Sequence, residues 1–169
     1  MRHNKWSRGF TFIELIIVFT VMTILGTVGI ASLANYNHEQ QVVTTATDLK
    51  TLLQYGRSLS MSQIMPVTCN ANGATLLGYE VDFCAGGASG QPSACTNSDD
   101  YEVNALCSAP INYVHVSSKK YASQISINST YRSYFFPVIS AGADHTGIVT
   151  VSAYGVTRTI TVTNSGVIQ

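Results

Sequence analysis

The N-terminal segment that decides the fold reads RGFTFIELIIVFTVMTILGTVGIASLA and covers residues 8–34. Within residues 10–34, Glu14 is the only charged side chain. A helix crosses a bilayer with about 20 apolar residues, so this run is long enough to span one. A charged side chain in such a run costs about 2.5–3.5 kcal/mol on insertion scales, and we therefore take Glu14 as a functional residue.

Three kinds of segment share a basic start followed by an apolar run. A secretory signal peptide has an apolar region of about 7–15 residues that ends at a small-residue cleavage site, for which Ser32-Leu33-Ala34 would qualify. The run is too long for this class, and it contains Glu14. A plain membrane anchor fits the length but gives the carboxylate no role. The third kind is a leader segment that is cut at Gly9.

The residues around Gly9 support this third kind. Gly9-Phe10-Thr11-Phe12-Ile13-Glu14-Leu15 resembles the type IV prepilin motif, a glycine followed by F-T-x-I-E-L. The resemblance covers residues 8–35, and Phe12 stands where leucine is commoner. It implies that a prepilin peptidase cuts between Gly9 and Phe10 and methylates the new amine of Phe10. The implied domains are a leader (1–9), the transmembrane and assembly half of a helix (10–37) and a globular pilin head (38–169).

The distribution of basic residues predicts the orientation in the membrane. Arg2, Lys5 and Arg8 precede the apolar run, and the next lysine or arginine after it is Lys50. The positive-inside rule then places residues 1–9 in the cytoplasm and the rest outside. We therefore expect a single pass through the inner (cytoplasmic) membrane, and the prepilin resemblance implies later movement into an extracellular pilus or a periplasmic pseudopilus.

The resemblance also implies partners and a role for Glu14. The partners are the prepilin peptidase, other pilin subunits in a homo- or hetero-oligomeric filament, and the inner-membrane assembly platform. In the filament, Glu14 would pair with the charged Phe10 amine of a neighbouring subunit, since buried charges persist where they find partners. The alternative is a carboxylate that local thinning of the bilayer tolerates.

Beyond the apolar run, the side-chain pattern favours one continuous helix from about Thr11 to Ile64. Pro66 is predicted to end it. The first half is expected in lipid and the second half to be amphipathic. Apolar residues of the second half recur close to the i, i+3, i+4, i+7 spacing at Val42, Val43, Ala46, Leu49, Leu52, Leu53 and Leu59.

After this helix the pattern changes to that of strands, and Gly155 predicts a tight reversal in a C-terminal hairpin. The segment between Cys84 and Pro110 is rich in Gly, Ser, Asn and Asp and is predicted to be a loop. This pattern predicts an α+β fold, and the resemblance implies the type IV pilin fold, with a long N-terminal helix packed on an antiparallel β-sheet head. The predicted strands are Pro66–Asn70, Thr75–Phe83, Ile111–Val116, Ile125–Val138, Gly147–Tyr154 and Val156–Thr163.

Two further segments are similar to the GspH/FimT subfamily of minor pilins. These are the helical segment 47–58, with the following step at 63–67, and the closing segment 158–168. Some members of that subfamily tip secretion filaments, and some bind DNA through a Gly-Arg-x-Arg ending. Here Gly166-Val167-Ile168-Gln169 stands in that place without arginine, so DNA binding does not carry over. The resemblance implies a structural subunit, with a type II secretion pseudopilin or a DNA-uptake minor pilin as alternatives.

All four cysteines, Cys69, Cys84, Cys95 and Cys107, lie in the part expected outside the cytoplasm. An even number of exported cysteines favours two disulfides. Three connectivities are possible, and our expectation is that neighbours pair, Cys69 with Cys84 and Cys95 with Cys107. A zinc site is disfavoured because no two cysteines are spaced as C-x-x-C.

No pattern in the sequence supports an enzyme. A nucleophile motif, a phosphate loop and a dinucleotide fingerprint are all absent, so we expect no catalytic residues, cofactor or metal. The adjacent Asp144-His145 is expected to be a surface turn. The chain has nine basic and nine acidic residues, and loss of residues 1–9 leaves it slightly acidic. Nucleic acid is therefore an unlikely partner.

Overall fold

The computed structural model describes residues 11–71, 73–84, 95, 100–109, 113–140 and 142–169, with only the backbone for residues 28–31 and 71. The chain divides into two compact units, Met1–His38 and Glu39–Gln169. Its α+β class agrees with the prediction. The elements are α1 (Phe12–Ser62), α2 (Val67–Ala71), β1 (Leu76–Phe83), β2 (Tyr101–Cys107), β3 (Tyr113–Lys119), β4 (Ser126–Ser129), β5 (Ser133–Pro137), β6 (Gly147–Ala153) and β7 (Val156–Val162).

Helix α1 ends four residues before Pro66. Gln63 has a φ of +52°, and its amide donates to the carbonyl of Ser60. A residue in the left-handed conformation is a common way to end a helix. Pro66 has a different role, because its carbonyl accepts from the amides of Cys69 and Asn70 at the start of α2. The predicted strand Pro66–Asn70 is therefore wrong, and this segment forms a short helix.

The strands form two antiparallel sheets. Sheet A has the order β3-β2-β1-β5, and sheet B has the order β4-β6-β7. The predicted strand Ile125–Val138 is divided between them, since β4 pairs with β6 in sheet B and β5 pairs with β1 in sheet A. One continuous strand pattern in the sequence thus supplies strands to two sheets. The break between β4 and β5 is set by the strands with which they pair and not by local residue preferences.

Strand β2 lies inside the segment that was predicted to be a loop, so that prediction is wrong for residues 101–107. It pairs with β1 on one side and β3 on the other. Tyr101, Val103 and Ala105 alternate on one face and are buried. Glu102 and Asn104 on the other face are buried as well.

The C-terminal hairpin agrees with the prediction. Strands β6 and β7 pair from Gly147↔Val162 to Ala153↔Val156. The two residues between them, Tyr154 and Gly155, have φ of 53° and 78°. Positive φ at both central residues is typical of a type I′ turn, whose twist matches that of the strands.

The core of the second unit lies between α1 and the sheets. Val42, Leu49 and Leu53 of the helix are fully buried, as are Val81 of β1 and Val149 of β6. Gly56 lets the helix approach closely, because a Cβ there would lie 2.9 Å from Cγ2 of Val81. Two hydrogen bonds fix this contact. Ser60 Oγ donates to the Phe136 carbonyl at 2.6 Å, and the Tyr79 hydroxyl donates to the Ile64 carbonyl.

Candidate membrane and assembly segment

The start of α1 is built by two side chains that cap each other. The Thr11 hydroxyl accepts a hydrogen bond from the Glu14 amide at 3.3 Å, and Glu14 Oε2 accepts from the Thr11 amide and hydroxyl at 3.2 Å each. Thr-x-x-Glu at a helix start is a capping box, which satisfies amides that have no partner within the helix. The carboxylate also lies at the positive end of the helix dipole. Glu14 therefore has a structural role in capping the helix. The sequence analysis missed this role, although the T-x-x-E spacing indicates it.

The surface of this helical segment is apolar on every side. The N-terminal helix contains a stretch of 18 residues that is long and apolar enough to cross a membrane. None of that stretch is buried by the described residues, and Phe12 and Leu25 are 80% and 67% exposed. A helix that is hydrophobic all round is stable only in a protein core or in lipid.

The hydroxyls in this segment are satisfied by the helix itself. Thr23 Oγ1 donates to the Phe19 carbonyl at 3.0 Å, and Thr27 Oγ1 donates to the Ile24 carbonyl at 2.9 Å. Thr20 Oγ1 likewise donates to the Ile16 carbonyl. In hydrocarbon, where water cannot pair with them, such internal bonds are the condition for a hydroxyl to be tolerated. Glu14 is the only charged side chain in residues 12–27, and this segment provides no cation to pair with it.

Two processing residues from the sequence analysis, Gly9 and Phe10, lie outside the described residues. Glu14, the assembly residue of that analysis, is described, and its side chain is exposed.

The cysteines pair differently from the expectation. Cys69 bonds to Cys107, and Cys84 bonds to Cys95. The predicted pairing of sequence neighbours Cys69 with Cys84 and Cys95 with Cys107 is therefore wrong. Strands β1 and β2 are antiparallel, so Cys107 at the end of β2 returns to Leu76 at the start of β1, just after Cys69 on α2. The other end of the same strand pair brings Cys84 within reach of Cys95.

The face of sheet A that points away from α1 carries polar groups that sequence reasoning did not single out. Asp82 and Glu102 stand opposite each other in the β1–β2 register, and both are buried. Asn104 Nδ2 donates to Asp82 Oδ2 at 2.9 Å, and Nδ1 of His115 lies 4.0 Å from Glu102 Oε2. Within the described part of the chain, no group of three or more His, Cys, Asp or Glu is placed to hold a metal ion.

The adjacent Asp144 and His145 serve the backbone of a turn. Asp144 Oδ1 accepts from the Phe135 amide at 3.0 Å, and the Asp144 amide donates to the Phe135 carbonyl at 3.0 Å. The His145 ring stacks on Tyr131 with centroids 4.6 Å apart. These contacts hold the β5–β6 connection and give the pair a structural use.

Comparisons with known proteins found no relative of this chain. No protein-family model, curated protein or solved structure matches this chain. The functional conclusion therefore rests on the residues and their geometry.

Proposed function

We propose that this chain is a structural subunit of a type IV pilin-like filament, anchored by α1 until it assembles. The observation that carries the proposal is the combination at the start of α1. A helix that is apolar on every side begins with one carboxylate, whose only hydrogen-bond partner among the described residues is Thr11. Lipid can cover the apolar surface, but it supplies no cation for Glu14. A neighbouring subunit with a new amine at Phe10 would supply both an apolar surface and that cation.

The head fits such a subunit in its physical properties. The Cys69–Cys107 disulfide ties α2 to the end of β2, and the Cys84–Cys95 disulfide begins at the residue that follows β1. Disulfides persist outside the cytoplasm, where the positive-inside rule sends this unit. A small exported domain gains typically about 2–4 kcal/mol from each bond. The head would thus remain folded on a surface filament.

The first test is the state of Phe10 in producing cells. Sheared surface filaments and the remaining envelope are analysed by mass spectrometry for a peptide that begins at methylated Phe10. An abundant signal in the sheared fraction is expected for a displayed pilin. A signal confined to the envelope would instead assign the chain to a pseudopilin or a rare minor subunit. Intact residues 1–9, or a cut after Ala34, would overturn the proposal.

A second test separates the charge of Glu14 from its capping bonds. Glu14→Gln keeps the acceptor oxygen of the capping box and removes the charge. Thr11→Ala keeps the charge and removes the cap, at a cost of about 0.5–2 kcal/mol to the helix start. The proposal expects Glu14→Gln to abolish incorporation into filaments at normal cellular levels, while Thr11→Ala retains most of it. Equal losses in the two variants would mean that Glu14 acts only through the cap.

A further inference from the structure

Residues 128–130 form an acceptor motif that the filament proposal does not use. Asn128-Ser129-Thr130 has the pattern N-x-S/T without proline in the middle, which is the acceptor for N-linked glycosylation in exported proteins. Asn128 is the only asparagine of the chain that begins this pattern. A glycan is bulky and hydrophilic, so the motif can be used only if Asn128 lies on an open surface of the head.

Asn128 does lie on an open surface, in strand β4. Ile127 is buried while Ser126 and Asn128 on either side of it are exposed, so the Asn128 side chain points away from the core. Among the described strands, β4 pairs only with β6, which makes it an edge strand of sheet B. No described residue hydrogen-bonds to the Asn128 side-chain amide. The amide therefore has space above the sheet and on the open side of the strand.

The outer face of sheet B around Asn128 suits a sugar. Strand register places Thr150 opposite Asn128 and Thr159 opposite Thr150. Directly opposed residues share a face, so two hydroxyls lie in one row with the amide. Ile148 is a diagonal neighbour on the same face and is 47% exposed. A pyranose ring has an apolar face and a rim of hydroxyls, so a first sugar on Asn128 would cover Ile148 and hydrogen-bond to the threonines.

Thr130 determines when the transfer of a glycan can occur. Its hydroxyl donates to the Ile148 carbonyl and accepts from the Ile148 amide, both at 3.1 Å. A transferase recognises the acceptor motif through this hydroxyl, which the folded head already uses. Strand β6 contains Ile148 and follows β4 in the chain, so a chain that is exported from an N-terminal anchor presents Asn128 before β6 arrives. Transfer to Asn128 must therefore precede the pairing of β4 with β6.

We propose that Asn128 is a site of N-linked glycosylation, modified as the head is exported. In the transfer, Nδ2 of Asn128 forms a bond to C1 of the first sugar of a lipid-linked oligosaccharide. The bond between that C1 and the phosphate oxygen of the lipid diphosphate breaks, the lipid diphosphate leaves, and one Nδ2 proton passes to a base of the transferase. The inference rests on export of the head, which is part of the proposed function. The glycan would shield the open edge of β4 from pairing with a further strand.

The test is mass spectrometry of the chain purified from cells that produce it. Trypsin releases the peptide Tyr121–Arg132, which contains the whole motif. We expect this peptide to carry a glycan, which electron-transfer fragmentation places on Asn128. An unmodified peptide, or a sugar placed on a hydroxyl of the same peptide, would overturn the proposal.

Four variants make the result specific. Asn128→Gln removes the acceptor and should abolish the glycan, whereas Asn70→Gln, at an exposed asparagine outside the motif, should leave it unchanged. Thr130→Ser keeps the hydroxyl and should retain the glycan, while Thr130→Val has a similar shape without the hydroxyl and should abolish it. Recovery of the disulfide-linked Cys69–Cys107 peptides in each variant shows that the head has folded. A glycan that persists in Asn128→Gln or in Thr130→Val would contradict the assignment.

The same digest separates this proposal from the filament proposal. A peptide that begins at methylated Phe10, found together with an unmodified Asn128, would overturn the glycosylation alone. Intact residues 1–9 would overturn the filament proposal, whatever the state of Asn128.

Discussion

Replacing Cys69 and Cys107 together by alanine should destabilise the head more than the same replacement of Cys84 and Cys95. The two bonds differ in the length of chain that they close, 38 residues for Cys69–Cys107 and 11 for Cys84–Cys95. Loop-closure entropy gives about 4 kcal/mol for the first bond and about 3 kcal/mol for the second. A domain of ordinary stability has only about 5–15 kcal/mol in total, so either loss is large.

The position of the Cys69–Cys107 bond predicts where the effect is felt. Both cysteines are buried, and the bond ties α2 to the end of β2. The neighbouring Ser108 amide donates to the Thr75 carbonyl at 2.8 Å, and the Thr75 amide donates to Ser108 Oγ at 2.9 Å. These bonds hold the start of β1 without the disulfide. Loss of the bond should therefore release α2 first and leave the β1–β2 pairing in place.

The assay is denaturant unfolding of the disulfide-intact full chain in detergent, followed by near-ultraviolet circular dichroism of its tyrosines. The Cys69/Cys107 variant is expected to lose about 1 kcal/mol more than the Cys84/Cys95 variant. Hydrogen exchange should quicken at the Cys69 and Asn70 positions of the first variant only. Non-reducing peptide mapping of the unmodified chain supplies the pairing itself. Recovery of Cys69 linked to Cys84, or a larger loss in the Cys84/Cys95 variant, would refute the argument.

Three further predictions concern packing, alkaline stability and a surface ion pair. Gly56→Ala should lower the free energy of unfolding by about 1–3 kcal/mol, because the added methyl group overpacks against Val81. Gly26→Ala is the control, since no atom lies within 4 Å of its added Cβ, and it should leave unfolding of the head unchanged. A rise in the denaturation midpoint of Gly56→Ala would contradict this prediction. Burial raises the pKa of the Tyr121 phenol, so the stability it contributes is present below the unfolded pKa of about 10 and is lost as pH rises above it; Tyr121→Phe should move alkaline unfolding to higher pH, and an unchanged profile would count against the argument. A hydrogen bond to Asp48 raises the pKa of Lys119, so the stability of this 2.6 Å pair is present below about pH 10.4 and is lost as pH rises through the folded pKa. Because both side chains are over a third exposed, Lys119→Gln should cost only about 0.2–1 kcal/mol at neutral pH, a difference that denaturant curves in high salt should no longer show.

The elements that the sequence predicted correctly depend on near neighbours in the chain. Helix α1 follows from apolar spacing over many turns, and its observed bounds of Phe12–Ser62 lie within two residues of those expected. The C-terminal hairpin follows from two alternating runs around Gly155. In each case the deciding interactions join residues only a few positions apart.

The candidate site was predictable in part. Glu14 stood out because it is the only charge in a long apolar run, and the structure places it in the first turn of α1. Its capping bond with Thr11 was missed, although the T-x-x-E spacing can be recognised in the sequence.

The sequence by itself determined the long apolar helix, the position of its carboxylate and the final hairpin, because local spacing and turn chemistry specify them. Only the tertiary structure decided that 101–107 is a central strand, that 125–138 divides between two sheets and that Cys69 bonds to Cys107. These features depend on strand register and on which distant segments meet. The alternation of apolar and polar residues at 101–105 is a local strand signal, but only the pairing with β1 and β3 shows that both faces of β2 are buried.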